Sequence, residues 1–286
     1  KPQLFPQQPA HDEVIVEAQP PRLVEQRVVI GVGPRAHGAH LLHQPPVDGR
    51  VAAVEPQPAC FSLEDSFVQR GMDNIKTSLA RFVKSAKLTQ EQADAVVQRI
   101  RTTTSLPDGV KDADIVVEVV PEKLDLKQAV FKEIAQHAKA DAVLATNTSQ
   151  LSITAIASAI DRPQDVIGTH FFNPPVMMKL VEVVRGLKTS DRALEVALAL
   201  AKKLGKEAAV CKRDTVGFIT TRAIAALRLE CVRMYEEGIA SMEDIDKAMR
   251  LGFNHPMGQF ELTDFNGLDV ALFNTMSLKE AYGERF

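Results

Sequence analysis

A doubly wound α/β fold with a mainly parallel sheet, followed by an all-α segment, is what this sequence predicts. Three observations carry the prediction. Between residues 112 and 211, short apolar runs alternate with helical periods at βαβ spacing. After Asp214 the strand-like runs stop and only helical periods follow. Ahead of both, VIGVGPRAHG (29–38) reads as a strand breaking on glycine into a turn and a helix.

The elements follow in order. The first 60 residues hold ten of the sixteen prolines and four of the seven histidines. Residues 1–26 show no apolar period and read as a largely unstructured tail. RVVIGVG (27–33) is a strand, AHGAHLLHQ a helix stopped by Pro45 and Pro46, and RVAAVE (50–55) a second strand ending on Glu55. A helix over 67–88 places Phe67, Met72, Ile75, Leu79, Phe82 and Val83 near one face. LTQEQADAVVQRI is the next helix, with Thr89 at the N-cap and Gln92 completing a capping box. DADIVVEVV (112–120) is a buried strand, followed by the helix KLDLKQAVFKEIAQHA. AVLATNTS (142–149), VIGTHFF (166–172) and KLVEVV (179–184) are further strands. The helix 191–206 ends at Gly205, and EAAVC (207–211) is the last strand. VGFITTRAIAALRLECVRMYEEG reads as one long helix, and MEDIDKAMRLG as a shorter one with Gly252 after its end. The division is thus 27–212 for the sheet domain and 213–286 for the helical domain.

Composition narrows the function. A formal charge of −3 leaves no basic field for nucleic acid or an anionic membrane surface. No apolar run approaches a membrane span, and the N-terminus lacks the apolar core of a secretory signal. Cys60, Cys211 and Cys231 are odd in number and far apart, which argues against a disulfide framework or a zinc site and for a reducing, cytoplasmic setting.

Gly31-x-Gly33-x-x-Ala36 satisfies the loose dinucleotide fingerprint of a Rossmann-like domain. Glycines let the backbone approach a pyrophosphate, and the helix N-terminus offers free N–H groups. Glu55, 22 residues past Gly33, would accept from the ribose hydroxyls and repel the 2′-phosphate of NADP. Pro34 deletes one N–H from that cradle, so a proline-rich loop with two chance glycines stands as the alternative.

Ligands of open α/β sheets bind beyond the carboxyl ends of the strands, where Ser149 and His170 both fall. His170 and Glu182 together suggest a base and its orienter, because a carboxylate on one ring nitrogen fixes the tautomer and leaves the other nitrogen to take a proton. Each residue also has a plain reading. His170 could be a satisfied structural histidine, Glu182 a solvated edge residue, Asn173 part of a turn, and Ser149 the cap of a helix at TAIASAI.

VVEVVPEKLDLKQAVF, ATNTSQLSIT, GTHFFNPPVMMKLVEVV, DTVGFITTR and GFNHPMGQFELTDFNGLD resemble the 3-hydroxyacyl-CoA dehydrogenase family across residues 64–286. The resemblance implies NAD-dependent oxidation of an L-3-hydroxyacyl-CoA to the 3-ketoacyl-CoA. It implies His170 as general base, Glu182 as its partner, Ser149 on the substrate oxygen beside the nicotinamide, and Asn173 in support. It places Gly31, Gly33, Gly38, Glu55, Glu122, Lys127 and Ser149 at the cofactor, and Ser149, Thr221, Ser78 and Lys84 at the acyl-CoA. Glu122 and Lys127 also read as a solvated pair, and Ser78 and Lys84 as a wet helix face. A homodimer through the helical domain is expected.

The chain departs from the family in places. Thr221 stands where many members carry asparagine, and Val216 where they carry proline. The chain stops at Phe286, ahead of the usual basic, glycine-rich end. Ala36 replaces the third glycine of the loop, His37, His40 and His43 crowd the helix, and Glu55 lies about one residue late. The expectation is a loop at the cofactor site that binds NAD weakly. Competing readings are a catalytically impaired member that binds CoA thioesters, and a β-hydroxyacid dehydrogenase with a lysine base, against which the HFFNP histidine argues.

Overall fold

The computed structural model of the chain describes residues 28–31, 59–61 and 65–286. The tail 1–26, the expected helix before Pro45, Gly33, Pro34, Ala36, Gly38 and Glu55 lie outside these residues.

Among the described residues the sheet has eight strands: β1 (Val28–Gly31), β2 (Ala59–Phe61), β3 (Arg101–Thr103), β4 (Ile115–Glu118), β5 (Val143–Thr146), β6 (Val166–Phe171), β7 (Leu180–Arg185) and β8 (Glu207–Cys211). Their spatial order is β3-β2-β1-β4-β5-β6-β7-β8. The first six run parallel. β7 then reverses against β6, and β8 follows β7. The short link from Phe171 to Leu180 dictates this reversal, since a parallel return needs a crossover of a dozen or more residues.

Side chains alternate across the sheet. Ile115, Val117, Val143, Ala145, Ile167 and Val183 face α6 (Asp191–Lys203), meeting Ala193, Ala197 and Leu200. Val116, Leu144, Val166 and Val184 face the other way. There they meet α3 (Leu106–Val110), α4 (Leu124–His137) and α5 (Ile153–Ala157). Both faces are covered, which is why β4, β5 and β6 are buried along their whole length. α1 (Asp65–Lys84) and α2 (Gln90–Arg99) close a satellite core on Ile75, Leu79 and Ala93. The Thr89–Gln92 capping box is present, and Gly205 ends α6 at φ 64°.

After Cys211 the chain is helical: α7 (Thr220–Glu236), α8 (Met242–Phe253), α9 (Gln259–Asn266) and α10 (Leu268–Tyr282). Among the described residues, no helix is long and apolar enough to cross a membrane.

Several sequence expectations shift. Ala59–Phe61 pairs with β1, and the expected strand 50–55, with Glu55 at its end, lies outside the described residues. β3 and α3 have no counterpart among the predicted elements; each is too short to show a period. The helix expected from Val216 begins at Thr220. Gly217 (φ 75°) and Phe218 (φ 45°) hold a left-handed turn before it, and a Cβ on Gly217 would also sit 2.9 Å from Leu278. Gly252 lies inside α8, which stops instead at Asn254 (φ 59°).

Two glycines give opposite expectations. A Cβ on Gly168 in β6 would fall 2.7 Å from Ile153 and 3.0 Å from Val184. Gly168→Ala is expected to lose roughly 1–3 kcal/mol by overpacking. Gly252 has open space within 4 Å, and Gly252→Ala is expected to gain up to about 1 kcal/mol from helix propensity. Urea unfolding of both variants checks the pair; equal midpoints would refute the packing account of Gly168.

Candidate active site

The antiparallel register sets His170 of β6 directly opposite Glu182 of β7. Their Nδ1 and Oε2 atoms lie 2.7 Å apart. His170 is 7% exposed and Glu182 fully buried, so Glu182 is not the solvated edge residue the sequence allowed. The rings of Phe172 and Phe218 stand 4.6 and 6.1 Å from the imidazole.

Glu182 is held from two domains. Its Oε1 accepts from the N–H groups of Ile219 (3.2 Å) and Thr220 (2.8 Å), and its Oε2 accepts from the Thr220 hydroxyl (2.9 Å). α7 has no side-chain cap of its own, and the carboxylate of Glu182 takes that place at the positive end of the helix. Burial alone would raise the Glu182 carboxyl. The hydrogen bonds from His170 and Thr220 overcome it and hold the group below its ordinary value of 4.5. A depressed carboxyl contributes stability that is full above that value and is lost as pH falls through the lower, folded-state one.

A second buried cluster positions the turn after β5. Lys127 of α4, 1% exposed, reaches Glu118 Oε1 at 2.8 Å, the Val120 carbonyl at 3.0 Å and Glu122 Oε2 at 3.5 Å. The Thr146 hydroxyl donates to the other Glu118 oxygen at 2.7 Å. Glu122 Oε1 accepts from the Thr148 hydroxyl and from the Ser149 N–H at 2.8 Å. Asn147 Oδ1 accepts from the Phe171 N–H at 2.8 Å, tying the same turn to the strand that carries His170. Ser149 therefore emerges, half-buried, from a braced turn beside β6. It does not cap α5, because Ser152 does.

Lys206 braces the far side. It is 6% exposed, and its Nζ donates to the Pro175 and Met178 carbonyls at 2.6 and 2.7 Å. It fixes the 173–178 loop that follows His170.

The structure thus brings His170, Glu182, Ser149 and Glu122 to the carboxyl edge of the parallel strands. Lys127 is no solvated residue; it serves the turn through Glu118 and Glu122. Asn173 is exposed at the start of its loop. Thr221 is 8% exposed inside α7, and Thr220 rather than Thr221 touches the pair. Ser78 is half-buried on α1, and Lys84 is exposed in its last turn. Glu118, Asn147, Lys206 and Thr220 escaped the sequence reading. The one available signal was Glu118, a carboxylate within an apolar strand.

Strand order reverses between β1 and β4, where a doubly wound sheet opens its ligand crevice. Gly31 ends β1 on one side, and Glu118 ends β4 on the other. The described residues fit a dinucleotide at this point: Glu122 and Ser149 follow at the same edge, and both polar atoms of the buried Gln150 side chain lack a partner among the described residues.

Comparison with known proteins gives consistent results. Residues 51–215 match the family model described as "3-hydroxyacyl-CoA dehydrogenase, NAD binding domain", and residues 217–286 the one described as "3-hydroxyacyl-CoA dehydrogenase, C-terminal domain". A 3-hydroxybutyryl-CoA dehydrogenase of Bradyrhizobium diazoefficiens is 39% identical over 217 residues, 76% of this chain and 73% of that protein. The mitochondrial hydroxyacyl-coenzyme A dehydrogenase of Sus scrofa is 42% identical over 198 residues, 69% of this chain and 63% of that protein. The crystal structure of an (S)-3-hydroxybutyryl-CoA dehydrogenase from Ralstonia eutropha superposes with a TM-score of 0.81 at 33% identity, covering 91% of this chain and 89% of that one.

The Lys127 cluster yields a double-mutant expectation. Lys127→Met leaves Glu118 buried without its cation and is expected to cost roughly 3–5 kcal/mol, much of it recovered when Glu118→Gln is added. Denaturant titration of the single and double variants measures the coupling; additive losses would refute it.

Proposed function

The chain belongs to the 3-hydroxyacyl-CoA dehydrogenase family of NAD-dependent oxidoreductases, and we propose that it oxidises an L-3-hydroxyacyl-CoA with His170, held by Glu182, as general base. The observation that carries this reading is the buried 2.7 Å contact between His170 Nδ1 and Glu182 Oε2 at the sheet's carboxyl edge. With Nδ1–H donating to the carboxylate, Nε2 keeps its lone pair and is free to take the substrate's hydroxyl proton. The imidazolium so formed faces a negative charge already in place, and no reorganisation is needed. Ser149 donates its hydroxyl to the substrate oxygen as charge develops there, from a turn stiffened by Glu122. Asn173 lines the entrance beyond His170.

NAD, when bound, supplies the hydride acceptor. Glu122 and Ser149 at the carboxyl edge orient it, with Gly31 at the end of β1; Lys127 acts through Glu122. Ser78 and Lys84 on α1, with the lysine as a point charge for phosphate, suit the coenzyme A moiety. Thr221 lines the substrate side of α7. Among the described residues nothing favours an impaired, binding-only member, since the His170–Glu182 pair and the Ser149 turn are both assembled. A cytoplasmic or otherwise reducing setting suits the free, buried Cys211 and Cys231.

The helical domain supports self-association. Leu268, Leu272 and Met276 are 61–70% exposed, and their i, i+4, i+8 spacing places them along one stripe of α10, with Phe265 of α9 exposed at 65% ahead of it. A homodimer through this stripe is the arrangement that would cover it.

Two measurements test these statements. Turnover of acetoacetyl-CoA with NADH is expected in the unaltered protein, and His170→Gln is expected to lower kcat by roughly 10²–10⁴-fold while sparing CoA-ester binding; an active His170→Gln variant would remove the base. Leu272→Glu with Met276→Glu is expected to convert the dimer to a monomer in light scattering, and an unchanged mass would place the interface elsewhere.

A further inference from the structure

We infer that Thr220 is a positioning residue for the His170–Glu182 pair, and that its hydroxyl makes the basicity of His170 depend on the contact between the two domains. The inference rests on the proposed base role of His170 and deepens it. Four hydrogen bonds converge on the buried carboxylate of Glu182, and three come from the first residues of the helical domain. Two of these, the N–H groups of Ile219 and Thr220, occupy Oε1 and would be supplied by any residue there. The third is particular to this side chain: the Thr220 hydroxyl donates at 2.9 Å to Oε2, the same oxygen that holds His170 Nδ1 at 2.7 Å.

Two donors on one carboxylate oxygen share its electron density. The Thr220 hydroxyl weakens the acceptor that His170 leans on and so destabilises the imidazolium relative to the neutral ring. The left-handed turn at Gly217 and Phe218 aims Thr220 at the carboxylate, so the sharing exists only while the helical domain sits on the sheet. Among the described residues, no charged side chain other than Glu182 is hydrogen-bonded or ion-paired to His170. On β8, burial first and then the charges of Glu182 and Asp214 push the Cys211 thiol up, so it stays neutral. Asp214 is itself engaged by the Ser152 hydroxyl and the Thr154 N–H. On α7, the Arg222 guanidinium lies over the Tyr282 ring at 4.1 Å.

Thr220→Val keeps the shape and both backbone bonds and deletes only the hydroxyl; Thr220→Ser restores a donor, and Thr220→Ala serves as a second deletion should valine perturb the fold. The expected result is an upward move of the pH midpoint for 3-hydroxybutyryl-CoA oxidation by roughly half a pH unit in the Val and Ala variants, with the Ser variant returning to the unaltered curve and KM constant within about twofold. The His170 ring signal, assigned by its loss in His170→Gln and titrated by NMR, gives the same comparison without turnover. If the unaltered protein fails to oxidise the thioester, the functional reading falls while the ring titration still judges Thr220. Coincident titrations of the unaltered protein and the deletion variants would overturn the inference. So would a rise in KM with the pH midpoint unmoved, which would make Thr220 a substrate contact.

Discussion

A carboxylate with no access to water organises this molecule. Glu182 sits within β7, the strand at which the sheet reverses, and a charge placed there is tolerable only if donors surround it. Those donors come from β6 and from the entrance to α7. The reversal of β7, the left-handed turn at Gly217 and the docking of the helical domain are all conditions for meeting that demand. The same set of contacts that satisfies the buried charge also fixes the imidazole of His170, the base of the proposed reaction. Folding and the proposed chemistry draw on one interaction.

The cluster around Lys127 repeats the logic at the turn after β5. Glu118 and Lys127 neutralise each other inside the sheet–helix layer, and Glu122 carries the connection outward to Thr148 and Ser149. A serine on a surface turn would ordinarily sample several orientations. Here its backbone is tied to α4 through Glu122, and its neighbour Asn147 is tied to β6. The Ser149 hydroxyl, proposed to meet the substrate, is thereby carried on a backbone held relative to the imidazole by two short chains of hydrogen bonds.

Much of this was legible in the residues. The unbroken apolar runs IVV, AVLA and VIG marked strands covered on both faces, and Thr89 with Gln92 marked the start of α2. His170 and Glu182 could be paired on chemical grounds. What the sequence held back was the register that joins them. A link of eight residues between the two strands excludes a parallel return, but that exclusion was visible only once both strand ends were fixed. Lys127, with Glu122, could be read as a solvated pair because nine positions of sequence separate it from Glu118, the partner that the β4–α4 turn folds onto it. Thr220 stayed hidden because apolar periodicity carried the helix back to Val216, and only the strain at Phe218 shows where α7 begins.

The aromatic walls around the imidazole have a kinetic corollary. A histidine ring that can rotate through a half-turn exchanges its two nitrogens, and a rotated ring would present the wrong atom to the carbinol. Phe172 and Phe218 flank the ring at 4.6 and 6.1 Å, and the swing would break the 2.7 Å contact with the carboxylate. In the proposed reaction, successive cycles would thus begin from the one ring pose that the carboxylate holds, with no wait for a flipped side chain to find its way home.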